Sequence, residues 1–140
     1  MGLTFVRENA NNTNARSVMA AVKVVMYKED DESVPLLEWL DDVQPRKAIA
    51  KCIVLVDLLK QFGPDLHRPH ADFLRDGIHE LRTHYMSVQY RMLYFFHKQT
   101  AVITHGLIKP GKQVLPKEID LAVQRKKKFE IAPKKHTHEE

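Results

Sequence analysis

The 140-residue sequence has one cysteine, Cys52, and no long hydrophobic run. A single cysteine cannot form a disulfide within the chain, which favours a reducing compartment. No apolar stretch approaches the roughly 18–20 residues that a membrane-spanning helix needs, and the N-terminus lacks the apolar core of a secretory signal. We therefore expect a cytoplasmic protein that does not act at a membrane.

The motifs of several enzyme classes are also missing. The sequence has no glycine-rich phosphate loop of the GxxxxGK[ST] kind and no GxSxG nucleophile elbow. Cys52 lies within an apolar helical pattern, where a thiol is a poor nucleophile. His67 and His70 have a spacing close to that of metal ligands, but no cysteine or second histidine pair accompanies them. We expect neither a metal site nor a cofactor.

Charge is distributed unevenly, although the formal net charge is only +4. Residues 28–42 contain seven acids and one base, whereas residues 105–135 contain nine bases and three acids. A basic C-terminal half indicates a polyanionic partner, and the alternative is a solvated helix surface. The candidate residues for contact with a polyanion are Lys112, Lys117, Arg125, Lys126, Lys127 and Lys128.

The length is sufficient for one packed domain but not for two. Residues 1–20 are rich in asparagine and lack periodicity, so we predict a disordered N-terminal extension. Residues 21–129 form the predicted domain, and residues 130–140 form a predicted disordered tail.

Hydrophobic periodicity in this domain predicts the order β-α-α-β-β-β-α. The predicted strands are residues 21–27, 78–85, 89–97 and 101–108, and the predicted helices are residues 35–42, 45–62 and 116–129. Residues 65–77 are predicted to be a loop. Short connections between the last three strands predict an antiparallel meander. We expect an α+β fold, with two N-terminal helices on one face of an antiparallel sheet and a C-terminal helix at its edge.

Strand alternation places charged side chains on one face of this sheet. Glu80 and Arg82 share a face, and a turn near residues 86–87 places Arg82 roughly opposite Arg91. Two adjacent guanidiniums repel each other unless an anion lies between them. That anion is either Glu80, in a cross-strand ion pair on a solvated face, or a bound phosphate.

Other polar side chains lie close to this pair in the predicted sheet. Lys109 and Lys112 follow the last strand, and their charge favours the phosphate site. His84 shares the face of the arginines, which suits a phosphate site better than a core. Tyr85, Tyr90, Tyr94 and Phe95 are aromatic candidates for stacking on bases. Core packing is the commoner role for such residues in a meander, and we expect it for Tyr94 and Phe96.

His105 lies near the end of the last predicted strand, where alternation groups it with Ile103 and Leu107. It is either a half-buried structural histidine or a proton carrier, because imidazole titrates close to neutral pH.

Five segments, taken in order, resemble one known family. They are LLKQFGPDL (58–66), LRDGIHELR (74–82), YRMLY (90–94), HGLIK (105–109) and PKEIDLA (116–122). Over residues 22–129 the sequence resembles the RelE-type toxins of bacterial toxin–antitoxin pairs, in particular their HigB or phage Gp49-like branch. The resemblance implies a RelE-like fold.

The resemblance also implies a function. Such proteins are type II toxins that enter the ribosome and cut mRNA without a metal, by attack of a ribose 2′-hydroxyl on the adjacent phosphate. It implies that Arg82, Arg91 and Lys109 neutralise that phosphate, with His84 and His105 as candidates for proton transfer. The basic residues from Lys112 to Lys128 would contact RNA. The implied partners are a helix-turn-helix antitoxin of the HigA kind, in a hetero-oligomer, and the ribosome with its mRNA.

The sequence departs from the family pattern at the start of the last helix. Many relatives carry a tyrosine there, whereas this chain has Leu115, Pro116 and Lys117, so the acid and base stay unassigned. Two other functions remain open at this point. One is a ParE-like toxin that acts on DNA gyrase without catalysis, and the other is an inactive nucleic-acid-binding domain of phage origin.

Overall fold

The computed structural model describes residues 21–140, so the extension predicted for residues 1–20 lies outside the described part. The elements in chain order are β1 Lys23–Tyr27, α1 Pro35–Asp42, α2 Arg46–Phe62, a 3-10 turn Gly63–Asp65, β2 Ala71–Arg75, β3 Ile78–Tyr85, β4 Val88–His97, β5 Thr100–Ile108, α3 Pro116–Ile131 and β6 Thr137–His138. Every helix and strand predicted from the sequence is present, with boundaries that differ by at most two residues.

The strands form one sheet of six in the order β2-β3-β4-β5-β1-β6. Strands β2 to β5 are an antiparallel meander, β1 runs parallel to β5, and β6 runs antiparallel to β1. Two helices and three strands separate β1 from β5 in sequence, which leaves enough chain for a crossover to a parallel neighbour. The α+β fold is therefore confirmed, but the sheet is mixed rather than wholly antiparallel.

Strand β2 occupies part of the segment that was predicted to be a loop, so that prediction is wrong for residues 71–75. Among the strands of residues 21–140, β2 lies at the edge of the sheet and pairs only with β3. The turn between them uses Asp76 and Gly77, which both have positive φ. An Asp-Gly pair is a strong hairpin signal because a type I′ turn requires this conformation at both central residues.

The predicted disordered tail is instead ordered. α3 continues to Ile131, and the chain then turns back so that β6 pairs with β1. His136 is buried, stacks on the ring of Tyr27 with centroids 5.2 Å apart, and donates from Nδ1 to the Lys28 carbonyl at 2.7 Å. The polar composition of the tail gives no sign of this contact, and its aromatic partner, Tyr27, lies about a hundred residues earlier in the chain.

Helices cover both faces of the sheet. α1 and α2 pack on one face, and the inner side of α2 is formed by Ala48, Cys52, Leu55 and Leu59 at helical spacing. α3 packs on the opposite face through Ile119, Ala122 and Phe129, not at an edge as predicted. Burial raises the pKa of Cys52 to about 11, so its thiol is unreactive in the fold. No helix in the described part is both long and apolar enough to span a membrane.

A β-bulge changes the face to which the end of β5 points. Leu93 pairs with His105 but Tyr94 pairs with Ile103, so Thr104 is an extra residue without a partner. Ile103 therefore belongs to the core under α1 and α2, whereas His105 and Leu107 face α3. The predicted grouping of these three residues on one face is wrong, since simple alternation does not anticipate a bulge.

Candidate functional site

The three charged side chains that alternation placed together do lie together. Arg82 and Arg91 are direct cross-strand partners on β3 and β4, as predicted. The Glu80 carboxylate lies between them, with Arg91 Nε 3.0 Å from one oxygen and Arg82 Nε 3.6 Å from the other. The exposed fraction of the side chain is 3% for Arg91, 6% for Glu80 and 21% for Arg82. The predicted ion pair is therefore present, but it is buried and not on a solvated face. Of its three side chains, Arg82 alone is partly exposed.

Arg91 is held firmly by neighbouring backbone. Its Nη1 donates to the carbonyls of Tyr90 at 2.9 Å and Thr83 at 3.2 Å, and its Nη2 donates to Gln89 Oε1 at 3.2 Å. Burial lowers the pKa of Arg91, and the neighbouring Glu80 opposes that shift, but a guanidinium remains charged in proteins. Arg91 is therefore a fixed positive charge beneath Arg82.

The hydrogen bonding of this cluster is incomplete. Glu80 Oε1, Arg82 Nε and Arg91 Nε are buried and have no hydrogen-bond partner within residues 21–140. Arg91 Nε and Glu80 Oε1 nevertheless form an ion pair at 3.0 Å. Each orphaned polar group costs about 1–3 kcal/mol. Such groups are rare in folded proteins, so this cluster is an unusual feature of the sheet.

A cleft of about 440 Å³ opens beside this cluster. It lies between β2, β3 and the loop that leads from β5 to α3, and Glu80 and Arg82 line its floor. Its other charged lining residues are Arg68, Asp72, Arg75, Lys109 and Lys112. Arg68 is paired with Asp72 and Arg75 with Asp120. Cations outnumber acids in the lining, so the cleft attracts anions.

Lys109 lines the cleft and lies near enough to Arg91 and Glu80 to feel their charges. Its backbone N–H donates to the Gln89 carbonyl at 2.8 Å, which fixes the start of the loop beside β4. Partial burial and the positive charge of Arg91 lower the pKa of Lys109. Its ammonium group therefore loses a proton more readily than that of an ordinary lysine.

The structure does not place the two candidate proton-transfer histidines in the cleft. His105 is buried under α3, where Nε2 lies 3.1 Å from Glu118 and Nδ1 2.9 Å from the Thr104 hydroxyl. Burial lowers the pKa of His105, so the neutral ring donates from Nε2 to Glu118 and accepts at Nδ1. His84 is exposed at the far end of β3 and does not line the cleft.

One comparison with known proteins identifies the family. The family described as Phage derived protein Gp49-like (DUF891) matches residues 38–127. The chain belongs to this family. The matched span contains Glu80, Arg82, Arg91, Lys109 and Lys112, so the cluster and its cleft lie within the Gp49-like region. A comparison with curated proteins found no match.

Most of the basic helix of this Gp49-like chain lies away from the cleft. Arg125 pairs with Glu29 at 2.8 Å and Lys128 with Asp30 at 2.8 Å. Hydrogen bonds from Lys128 and Lys135 lower the pKa of Asp30 to about 2. The acidic segment of the N-terminal half therefore neutralises part of the basic segment that the sequence assigned to a polyanion.

Three predicted contact residues remain on this helix. Lys126 lies 3.8 Å from Glu130, and Lys117 and Lys127 are exposed. Of the six candidate residues for a polyanion, only Lys112 lines the cleft.

Sequence reasoning missed the contribution of the segment before β3. Arg68, Asp72 and Arg75 line the cleft, but they lie in the segment predicted to be a loop, and none of them was among the candidate site residues. The Asp76–Gly77 turn was the available signal, because it predicts a strand on each side and brings Asp72 directly opposite Glu80.

Replacing Glu80 tests whether its charge holds the two arginines together. Glu80→Gln keeps the shape but leaves two buried guanidiniums uncompensated, so we expect a loss of about 3 kcal/mol in the free energy of unfolding. Sulfate should restore more stability to this variant than to the wild type, since the anion replaces the carboxylate. Urea denaturation with and without sulfate measures both effects.

The matched control is Asp120→Asn, which removes an exposed carboxylate that pairs with Arg75 at the rim of the same cleft. Exposed ion pairs contribute little, so this variant should behave like the wild type. Equal stability of the two variants, or an equal response to sulfate, would contradict the assigned role of Glu80.

Proposed function

We propose that this Gp49-like protein is the toxin of a type II toxin–antitoxin system, of the HigB kind, and that it is an endoribonuclease. It cleaves mRNA on the ribosome without a metal and so stops translation. The observation that supports this proposal most is the open cationic cleft, which is lined by Arg82, Lys109 and Lys112 and has the buried Arg91 beside it. A phosphodiester supplies oxygen acceptors of the right charge.

The cleavage reaction has three requirements that can be assigned to residues of the cleft. The 2′-oxygen attacks phosphorus, the bond to the 5′-oxygen breaks, and a cyclic 2′,3′-phosphate and a 5′-hydroxyl result. Arg82 binds a non-bridging oxygen and stabilises the negative charge that develops there, while Arg91 supports it from below. Lys109, whose pKa is lowered, accepts the 2′-proton, and the Lys112 ammonium at the same cleft donates to the leaving oxygen.

The two histidines take different places in this proposal. His105 acts as a positioning residue, because its bond to Glu118 ties the start of α3 to β5 and so fixes the loop that carries Lys109 and Lys112. His84 is exposed near the end of β3, and its proposed role is a contact with RNA outside the cleft. The remaining basic residues, Lys117 and Arg125 to Lys128, contact ribosomal or messenger RNA.

The proposed partners follow from the same function. A helix-turn-helix antitoxin of the HigA kind neutralises the toxin in a hetero-oligomeric complex, and the ribosome presents the mRNA. Both would act in the cytoplasm.

Expression from a tightly controlled promoter, followed by mapping of mRNA 5′ ends, tests the activity. We expect cuts in translated messages and growth arrest with the wild type. Arg82→Ala should lower cleavage by about 100-fold or more, because it removes a donor to the transition state. Lys51→Ala is the control, since it removes the same charge from the exposed side of α2. DNA damage with intact mRNA would favour a gyrase toxin, and equal toxicity of both variants would contradict the site.

The pH dependence of cleavage tests the role of Lys109. If its neutral amine accepts the proton, the rate on mRNA-programmed ribosomes should rise about tenfold per pH unit below the pKa of Lys109. The rise should end below the ordinary pKa of lysine, because burial and Arg91 lower that of Lys109. Lys109→Arg keeps the positive charge but stays protonated, so the rise of the cleavage rate with pH should be absent in this variant. An unchanged profile in the variant would rule out Lys109 as the base.

A further inference from the structure

A second cavity, of about 380 Å³, opens on the other face of the sheet, behind the edge strand β2. Its lining includes four rings, from Phe73 on β2, His79 on β3, and Tyr94 and Phe96 on β4. His79 stacks on Tyr94 with centroids 5.1 Å apart and meets the rings of Phe73 and Phe96 edge-on at 5.1 and 5.3 Å. We call this lining the aromatic pocket.

The aromatic pocket has polar groups as well as ring faces. Burial lowers the pKa of His79, so its imidazole is neutral near pH 7 and offers one donor and one acceptor. Tyr94 is buried and brings a hydroxyl, whereas Phe73 is 56% exposed at the rim. A planar ligand with polar edges can therefore stack on a ring and form hydrogen bonds in the same pocket.

The aromatic pocket and the cationic cleft meet at β2. Arg68, Asp72 and Phe73 line both cavities, although the cavities lie on opposite faces of the sheet. Arg68 bonds Asp72 at 2.8 Å, and its side chain is still 66% exposed. β2 is the outermost strand, so only one strand separates the two sites at this edge. A chain whose phosphates lie in the cleft thus passes within reach of the rings.

We propose that the aromatic pocket binds a nucleobase of the RNA strand whose backbone lies in the cationic cleft. This inference rests on the proposed function and extends it, because it adds a second subsite on the opposite face of the sheet. Ring faces bind any base by stacking, while the polar edges of His79 and Tyr94 favour a base over an apolar side chain of a protein partner. Continuity with the cleft through Arg68 supports the same choice.

Binding of short oligonucleotides distinguishes the contribution of a base to the affinity from that of the backbone. The probe is a fluorescent 2′-O-methyl octa-adenosine, which cannot be cleaved because its 2′-oxygen is blocked. The comparison strand is identical except that its central positions are abasic. Fluorescence anisotropy at low salt measures both affinities. We expect the wild type to bind the intact strand about tenfold more tightly, which is the contribution of one stacked base.

Two substitutions of Phe73, at the rim, test whether the base binds in the aromatic pocket. Phe73→Ala and Phe73→Leu should both abolish the preference for the intact strand, measured in each variant as the ratio of its affinities for the two strands, because leucine keeps apolar bulk but cannot stack. Phe62→Ala is the matched control, since Phe62 is 43% exposed on α2 and does not line the aromatic pocket. It should retain the preference. Thermal unfolding verifies that each variant is folded.

The other outcomes are distinct. Equal affinity of the wild type for both strands, or a preference that survives in Phe73→Leu, overturns the base subsite and leaves the proposed ribonuclease intact. Absence of binding to either strand overturns both the subsite and the cationic cleft as an RNA site.

Discussion

The buried Glu80 carboxylate between Arg82 and Arg91 is the interaction on which the rest of the site depends. Two guanidiniums side by side in neighbouring strands repel each other, and burial removes the water that would screen them. One carboxylate offsets part of this repulsion but leaves the cluster of two guanidiniums and one carboxylate with net positive charge. The sheet therefore holds a net positive charge directly beside an open cleft, and a second anion can neutralise that charge.

The same arrangement explains why this cleft, and not the basic helix, is the candidate site. Glu29 and Asp30 neutralise Arg125 and Lys128 on α3, whereas Lys109 and Lys112 lie beside the arginines on a loop anchored to β4. Glu80 holds the guanidiniums in position before any ligand arrives. Such preorganisation lets donors stabilise developing charge without a cost of reorganisation during the reaction.

The sequence predicted the pairing of Arg82 with Arg91, because strand alternation and the length of the turn determine that register together. It did not predict the side on which His105 lies, since the bulge at Thr104 leaves no mark in the hydrophobic pattern. β2 was missed because it is only five residues long and the signal for it is the Asp76–Gly77 turn rather than a hydrophobic pattern. The contacts of Glu29 with Arg125 and of Tyr27 with His136 join residues about a hundred positions apart, and local patterns contain no information at that distance. Membership of the Gp49-like family agrees with the resemblance seen in five separate segments.

The most direct test of the account is an NMR titration that observes the Nε–Hε signals of the arginines while a 2′-O-methyl RNA is added. The account predicts that the signal of Arg82, which lines the cleft, shifts and saturates at the RNA concentration at which binding saturates, because a phosphate then contacts its guanidinium. Binding of the RNA with the Arg82 signal unchanged, and with shifts confined to the exposed side of α3, would contradict it.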